Sequence, residues 1–388
     1  MKSSHFRSNL QQFLTRNRIL PRQPGRPVSK VMLISDLKEY QDSGKTLLKE
    51  AACPLPPLRE YGKRVCGRIV LQDQIPPRPF SCIPLKDAHV FGPSVMVVTA
   101  TGSVICEVSK EWGVYLDTPE ASWIQRRFFL PKPRHLPGKT FLLASTGAET
   151  FYHWMLESLP RLALWKMAGG SLGKVDHWLV SRKSPSFVRE SLTHLGIPWE
   201  SVLDFGENQH WTCETLELSS LASDWGMPSD LAVNFLRSSF GVPTASETGK
   251  RFYLVRGETR DRRVMEETNL VVALRKEGFE PLDSGRLGIR ATAAALAGAE
   301  WIIAPHGAAL TNMVFAPPGC RILEIFNPSF TNPCYRMLAA RCHHKYSCYY
   351  GAPTRTTANT TAEASGNIVV ESSEIKRAIF GSDNRVKS

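Results

Sequence analysis

The sequence predicts an α/β protein with two doubly wound, Rossmann-like units in one chain. From about residue 140 onward, short apolar segments alternate with amphipathic ones, a pattern typical of βα repeats on a parallel sheet. A polar, turn-rich stretch at residues 242–250 separates a first run of this alternation from a second. We therefore predict two doubly wound domains with a cleft between them.

The first unit opens with an apolar strand at residues 141–144. A long helical pattern runs from Glu149 to about Met167, and a strand follows at 177–180. A helix is predicted over 187–195, and Gly196 suits its end because glycine adopts the left-handed backbone of a helix C-terminus without strain.

The second unit begins with a strand at residues 251–256. The elements predicted after it are helices at 266–277 and 291–297, a strand at 301–304, a helix at 308–315 and a strand at 321–326. Prolines crowd the first third of the chain, which predicts irregular loops and short strands there. The predicted division is a basic arm and Pro-rich region at 1–135, the two Rossmann-like units at 136–245 and 246–352, and a loosely ordered tail at 353–388.

Charge and apolar patterning narrow the classes of partner and location. The net charge of +12 predicts attraction to anions such as nucleotides or phosphorylated lipids. No apolar stretch approaches the roughly 18 residues that a membrane-spanning helix needs. Residues 1–30 are basic without the apolar core of a signal peptide, and the nine cysteines include no CxxC pair. We expect a cytoplasmic protein whose arm is either a solvated tail, an organelle transit peptide or a peripheral contact with an anionic membrane.

Several familiar catalytic motifs do not fit the chain. Gly44-Lys45-Thr46 lacks the preceding glycine of a phosphate-binding loop, because Glu39 stands at that position. The sequence also has no G-x-G-x-x-G after a predicted strand, no Asp-x-Asp, and no G-x-S-x-G at a predicted strand-to-helix turn, where it would mark a hydrolase nucleophile. These observations argue against a P-loop enzyme, a dinucleotide-binding enzyme and an α/β-hydrolase.

The turn from Pro305 to Asn312 has the composition of a phosphate-binding turn. Small residues after a buried strand let a ligand approach the backbone, and the N–H groups that open the next helix can bind phosphate oxygens. His306 and Asn312 can add hydrogen bonds, and Glu324 on the next strand can hold ribose hydroxyls. The alternative is a tight structural turn with a buried histidine.

A second group of polar residues, His153, Glu157 and Arg161, follows a spacing of four, which would place them on one helical face. A histidine, a carboxylate and a guanidinium in this order can act as base, orienting group and anion ligand. A solvated ladder of ion pairs is the alternative. Apolar neighbours such as Tyr152 and Trp154 favour the functional interpretation.

A third group is basic and lies after the strand at 251–256. It consists of Arg256, Arg260, Arg262 and Arg263, followed by Glu266 and Glu267. Guanidinium groups match phosphate geometry, so the cluster can bind the same anion as the turn at His306, although a surface charge run is the alternative. No aromatic residue is interleaved with these arginines, so nucleic acid is not the expected partner.

Together the three segments resemble glycosyltransferase family 61, over about residues 140–330. The residues that carry the resemblance are His153-Trp154, Glu157, Pro160-Arg161, Tyr253, Arg256, Arg262-Arg263, Glu267, His306 to Asn312, Pro318-Gly319 and Glu324. The resemblance implies a GT-B architecture, with an acceptor domain at 136–245 facing a nucleotide-sugar domain at 246–352. It implies an inverting hexosyl- or pentosyltransferase that moves a sugar from a nucleoside diphosphate to a hydroxyl of a glycan, glycolipid or polysaccharide.

The resemblance also assigns expected roles to residues. His153 or Glu157 is the expected base, and Arg161 and Glu267 are further cleft residues. The expected donor-binding residues are Arg256, Arg262, Arg263, His306, Gly307, Ala308, Asn312 and Glu324. Arginines and helix ends can neutralise the leaving diphosphate, so we expect no metal and no cofactor beyond the nucleotide sugar.

We expect a cytoplasmic enzyme that takes part in the synthesis of a bacterial capsule, polysaccharide or glycolipid. If the arm binds lipid, the enzyme would be peripheral at the inner membrane face. The alternative is a non-catalytic nucleotide- or sugar-binding protein on the same scaffold. Val255, Glu266 and Thr292 favour that alternative, because the family often has serine, asparagine and glutamine near these positions.

Overall fold

The computed structural model divides the chain into two compact units. One comprises Met1–Lys49 and Arg78–Ala222, and the other comprises Glu50–Pro77 and Ser223–Ser388. The residues that the structure describes are 31–37, 48–62, 74–92, 95–109, 127, 129–183, 185–204, 209–223, 226–241, 248–256, 263–327, 331–353 and 366–380. The predicted membrane-contacting arm at 1–30 lies outside them.

The first unit is built on an eight-stranded sheet. Its strands, in spatial order, are Val31–Met32, Val104–Ile105, Met96–Val98, Cys82–Phe91, His210–Ser219, Arg134–Leu142, His177–Val180 and Val202–Asp204. The last four are mutually parallel, as predicted for a Rossmann-like unit. Cys82–Phe91, however, pairs antiparallel with both of its neighbours, so this sheet is mixed rather than wholly parallel.

The antiparallel strand Cys82–Phe91 comes from the region for which the sequence predicted only loops and short strands. Ile83, Leu85 and Val90 lie in the core cluster of the unit. Pro84 is accommodated because only His89–Phe91 pair with the strand on the far side, so its missing N–H removes no ladder bond there. The prediction from proline content therefore missed this ten-residue strand.

Helices and short helical turns lie between the strands of the first unit in the chain. They are Phe151–His153, the π-helical turn Trp154–Ser158, Arg161–Met167 and Ser186–His194, with short 3-10 turns at Ile34–Asp36, Leu172–Lys174 and Trp199–Ser201. The single helix predicted from Glu149 to Met167 is therefore interrupted. Pro160 has no N–H to continue an α-helix, and Leu159 N–H instead bonds Trp154 O at 2.8 Å, five residues back.

The second unit has a six-stranded sheet in which every pair is parallel. The strands, in spatial order, are Phe279–Leu282, Lys250–Leu254, Ala299–Pro305, Arg321–Phe326, Lys345–Tyr350 and Arg59–Gly62. Apart from the added edge strand Arg59–Gly62, the order is 2-1-3-4-5, which confirms the predicted doubly wound, Rossmann-like α/β unit. Strand order reverses between Lys250–Leu254 and Ala299–Pro305, and ligands of such sheets collect at the carboxyl ends of the strands at this reversal.

The helices of the second unit include one from the segment predicted to be a loose tail. They are Asp230–Phe240, Glu267–Arg275, Ser284–Leu287, Ile289–Leu296, Ala308–Phe315, Cys334–Arg341 and Ser372–Phe380. The helix predicted at 308–315 is present as the 3-10 helix Ala308–Phe315. Ile368 and Ile375 are fully buried in the core of the unit, so residues 366–380 are an integral part of it.

Short strand pairs complete the described chain, namely Leu48–Glu50 with Arg78–Phe80, Cys53–Pro54 with Gln74–Ile75, and Ala352–Pro353 with Ile368–Val369. The structure assigns Asp230–Phe240 to the second unit, although the predicted boundary near residue 245 placed it in the first. Within the described ranges, no helix is both long enough and apolar enough to cross a membrane.

Candidate functional site

Arg256 lies at the strand-order reversal of the second unit, two residues after the end of Lys250–Leu254. Its guanidinium donates a hydrogen bond from Nη1 to the carbonyl oxygen of His306, just past the end of the neighbouring strand. Its backbone N–H donates to Glu267 Oε1 at 3.3 Å, and the hydroxyl of Tyr253 donates to the same oxygen at 2.8 Å. Both the backbone and the guanidinium of Arg256 are therefore held by hydrogen bonds at the point where the strand order reverses.

Glu267, predicted as a further cleft residue, is the group that orients Arg256. Burial, together with the charge and hydrogen bond of Glu267, raises the pKa of Tyr253 well above its ordinary value. The tyrosine hydroxyl therefore stays protonated and acts as a donor, which requires Glu267 to accept.

His306 is a buried histidine held on all sides by other side chains. Its ring stacks on Phe326 with centroids 5.1 Å apart and meets Tyr335 edge-on at 5.3 Å. Its Nδ1 pairs with Glu324 Oε1, and the hydroxyl of Tyr346 donates to Glu324 Oε2. Both oxygens of Glu324 are therefore engaged, one by His306 and one by Tyr346.

The structure corrects the role expected for Glu324. We predicted that it would hold ribose hydroxyls, but its side chain has no exposed surface and both oxygens are engaged inside the protein. Burial, followed by the charge of Glu324, raises the pKa of Tyr346 well above its ordinary value, so that hydroxyl remains a donor. Glu324 therefore positions His306 instead of contacting a ligand.

The turn after His306 brings backbone N–H groups to the same strand ends. A β-carbon at Gly307 would overlap the guanidinium of Arg256, which explains why this position has no side chain. The first hydrogen bond of the 3-10 helix runs from Leu310 N–H to Gly307 O at 3.0 Å. The N–H groups of Ala308 and Ala309 therefore take no part in the hydrogen bonds within the helix. Ala308 is exposed, and the opening of this helix thus has the geometry expected of an anion-binding turn.

The remaining donor-side predictions divide into three cases. Asn312 is buried, and its amide donates to Ala309 O at 3.0 Å, so it braces the first turn of the helix instead of reaching outward. Arg263 is exposed, and its backbone N–H donates to Asn367 Oδ1 at 3.1 Å. Arg262 and Arg260 lie outside the described residues.

The first unit contains the candidate catalytic pair. His153 Nδ1 and Glu157 Oε2 are 2.9 Å apart, and the side chains are 18% and 5% exposed, respectively. Burial alone would lower the pKa of His153, but the hydrogen bond and charge of Glu157 outweigh it and raise the pKa overall. The pairing predicted from the spacing of four is present, and it joins Phe151–His153 to the π-helical turn.

Arg161 does not extend this pair into the predicted ladder. It has no exposed surface, and its donors bond Ser219 Oγ at 3.0 Å, Ala144 O at 3.0 Å and Ser219 O at 2.8 Å. Burial lowers the pKa of Arg161 to about 9, which still leaves the guanidinium charged at neutral pH. The π-helical turn and the new helix start at Pro160 turn this side chain into the interior, so it cannot contact a ligand.

The structure also adds residues that the sequence did not indicate. Tyr335 and Tyr346 surround the His306–Glu324 pair, yet they come from a helix and a strand that follow the motif region. Their roles depend on strand pairing, for example Tyr346 opposite Ile322, which no local pattern reveals. The cysteine- and histidine-containing segment 334–348 forms no metal-binding cluster among the residues described.

A comparison with models of known protein families matches one family over part of this chain. The model of the family described as Glycosyltransferase 61 matches residues 151–323, a stretch that begins at the His153 helix and includes Arg256 and the His306 turn. The match defines the class of protein as a glycosyltransferase, with a sugar donor and a glycan acceptor in general terms. Residues 151–323 are thus similar to glycosyltransferase family 61, which confirms the resemblance drawn from the motifs. No curated protein matches the chain.

Proposed function

We propose that this protein is an inverting glycosyltransferase that moves a hexosyl or pentosyl group from a nucleoside-diphosphate donor to a hydroxyl of a glycan, glycolipid or polysaccharide. The observation that carries the proposal is Arg256, held over Gly307 at the strand-order reversal beside the N–H groups of Ala308 and Ala309. A fixed guanidinium and free helix-opening amides form a site complementary to a diphosphate.

In this proposal the second unit stabilises the leaving group. Negative charge grows on the diphosphate as the bond from its oxygen to the anomeric carbon breaks, and donors already in place lower the free energy of that state. Arg256 and the amides of Ala308 and Ala309 supply such donors, with Arg262 and Arg263 predicted to add to them. Because this neutralisation uses cationic side chains and amides, transfer is proposed to proceed without a metal.

In the first unit, His153 is the proposed base, since it is the more exposed member of its pair with Glu157. With Nδ1 facing Glu157, the Nε2 atom takes the proton of the acceptor hydroxyl while that oxygen forms its bond to the anomeric carbon. The bond to the diphosphate breaks on the opposite face, which inverts the configuration. The charge of Glu157 stabilises the imidazolium that results.

The GT-B arrangement belongs to the same proposal, with the acceptor on the first unit and the donor on the second. Synthesis of a bacterial capsule, polysaccharide or glycolipid from the cytoplasmic side remains the proposed setting. The arm at 1–30 is proposed to contact anionic lipid. The parallel, doubly wound second unit supports the donor half of this assignment.

The donor side is tested by nucleotide binding. Ligands that bind only the folded state raise the melting temperature, so uridine, guanosine and cytidine diphosphates are titrated with and without Mg²⁺. We expect one of them to stabilise the protein without Mg²⁺ and to bind Arg256→Ala at least tenfold more weakly. Arg275→Ala is the matched control, because Arg275 is exposed in the last turn of its helix, away from the carboxyl ends of the strands where Arg256 lies. Equal binding by both variants would remove Arg256 from the donor site.

The catalytic half is tested separately by His153→Gln. This variant keeps a polar side chain but cannot take up a proton, so we expect nucleotide affinity to remain within about twofold while transfer falls by about 10²–10⁴-fold. Full transfer activity in the variant would exclude His153 as the base. Nucleotide binding by the wild type without transfer or donor hydrolysis from any sugar would instead identify a non-catalytic binding protein.

A further inference from the structure

The helix that follows the His306 turn is longer than 3-10 helices usually are. Ala308–Phe315 is 3-10 throughout its eight residues, and runs beyond three or four residues are uncommon because the hydrogen-bond geometry is poor. Leu310 and the five residues after it are all buried. Contacts from outside the helix must therefore stabilise this conformation.

Side chains from two other elements donate to the carbonyl groups at the far end of this helix. Arg237 donates from Nε to Val314 O at 2.7 Å and from Nη2 to Ala316 O at 3.3 Å. His344, which is buried, bonds Met313 O through Nε2 at 2.9 Å. A cation at the carboxyl end of a helix also complements the helix dipole.

The helix that carries Arg237 is itself firmly held. Ser229 caps its first turn by accepting a hydrogen bond from Ala232 N–H at 3.0 Å. At the same end, Asp230 forms an ion pair with the buried Arg341 at 2.8 Å, and Glu50 accepts from Leu231 N–H at 2.7 Å. Arg237 in the last turn is thus anchored to a fixed support.

We infer that Arg237 is a positioning residue for the donor diphosphate, acting through the 3-10 helix from about 14 Å away at a rise of roughly 2 Å per residue. By holding the carbonyl end, it sets the direction in which the N–H groups of Ala308 and Ala309 point at the other end. Loss of this contact lets the helix relax, and the two N–H groups no longer meet the same anion. The inference rests on the proposed function, because it assumes that those groups bind a diphosphate.

The test compares Arg237→Gln, Arg237→Lys and Asn234→Ala with the wild type. Asn234 is exposed on the same helix and serves as the matched control. The probe is whichever of uridine, guanosine or cytidine diphosphate binds the wild type most tightly. We expect Arg237→Gln to raise the dissociation constant at least tenfold. Arg237→Lys, which keeps the charge and a donor, should raise it less than threefold, and the control should not change it.

Hydrogen exchange of the backbone supplies a second readout that needs no nucleotide. The amides of residues 310–316 should exchange faster in Arg237→Gln than in the wild type or the control, whereas the central strand Arg321–Phe326 should be unaffected. Unchanged exchange at 310–316, or unchanged affinity in Arg237→Gln, overturns the inference while leaving the proposed function standing. Failure of the wild type to bind any of the three diphosphates overturns the proposed function and this inference with it.

Discussion

Replacing Gly307 with alanine should act through Arg256 alone. The backbone at Gly307 is extended, with φ 166° and ψ 172°, which any residue adopts, so alanine introduces no backbone strain. The three heavy atoms nearest to an added β-carbon all belong to the guanidinium of Arg256. The methyl group must therefore push the guanidinium away from His306 O.

The size of the effect follows from the bond that is lost. A hydrogen bond from a charged donor contributes roughly 1.5–3 kcal/mol to stability. A Gly→Ala change at a compatible backbone returns about 0.4–1 kcal/mol by restricting the unfolded chain. Gly307→Ala should therefore destabilise the wild type by about 1–2 kcal/mol. In an Arg256→Ala background, where the space is empty, it should instead stabilise the protein by about 0.4–1 kcal/mol.

The effect of Gly307→Ala on the free energy of unfolding should thus change sign between the two backgrounds. We would measure it by urea unfolding of the wild type, both single variants and the double variant, with circular dichroism and tryptophan fluorescence as independent probes. The predicted coupling between the two positions is about 1.5–3 kcal/mol. Equal destabilisation by Gly307→Ala in both backgrounds would refute the reasoning, since glycine would then be needed for a reason other than Arg256.

Two further predictions concern buried charge. Arg161→Met should lower the free energy of unfolding by roughly 2–6 kcal/mol, because Ala144 O and Ser219 O lose their donors at about 1–3 kcal/mol each; a change below about 0.5 kcal/mol in urea titrations would contradict this. Burial lowers the pKa of His344 to about 4, so stability should fall as pH drops below about 6.5, by about 2 kcal/mol at pH 5. His344→Gln should flatten this slope in pH-dependent unfolding, and an unchanged slope would exclude His344 as its source.

Local pattern was sufficient for the parts of the site that depend on neighbours in sequence. The spacing of His153 and Glu157 predicted their pairing, because residues four apart face each other on a helix. The small residues after the strand ending at Pro305 predicted the turn with open amides, because strand, turn and helix are consecutive. The alternation from residue 250 onward predicted the parallel sheet that brings Arg256 beside this turn.

Side-chain direction could not be predicted where it depends on distant partners. Arg161 has the same spacing of four from Glu157, but Pro160 and the π-helical turn rotate it into the interior, where Ser219 accepts its hydrogen bonds. Glu324 was predicted to bind a ligand through its carboxylate, yet the hydroxyl of Tyr346 on the next strand donates a hydrogen bond to one of its oxygens. Both outcomes are set by partners 22 to 58 residues away in the chain.

The sequence by itself therefore determined the family resemblance, the βα alternation and the order of the candidate motifs, because each of these is encoded in short-range spacing and composition. Only the tertiary structure decided which polar groups remain accessible and which serve as internal supports. Burial of a charge is favourable only when hydrogen-bonding partners meet it, and those partners arrive from strands and helices far away in the chain. Glu267, Glu324 and Arg161 are internal supports in this sense, and Arg256 and His153 are the residues that we propose act on the donor and the acceptor.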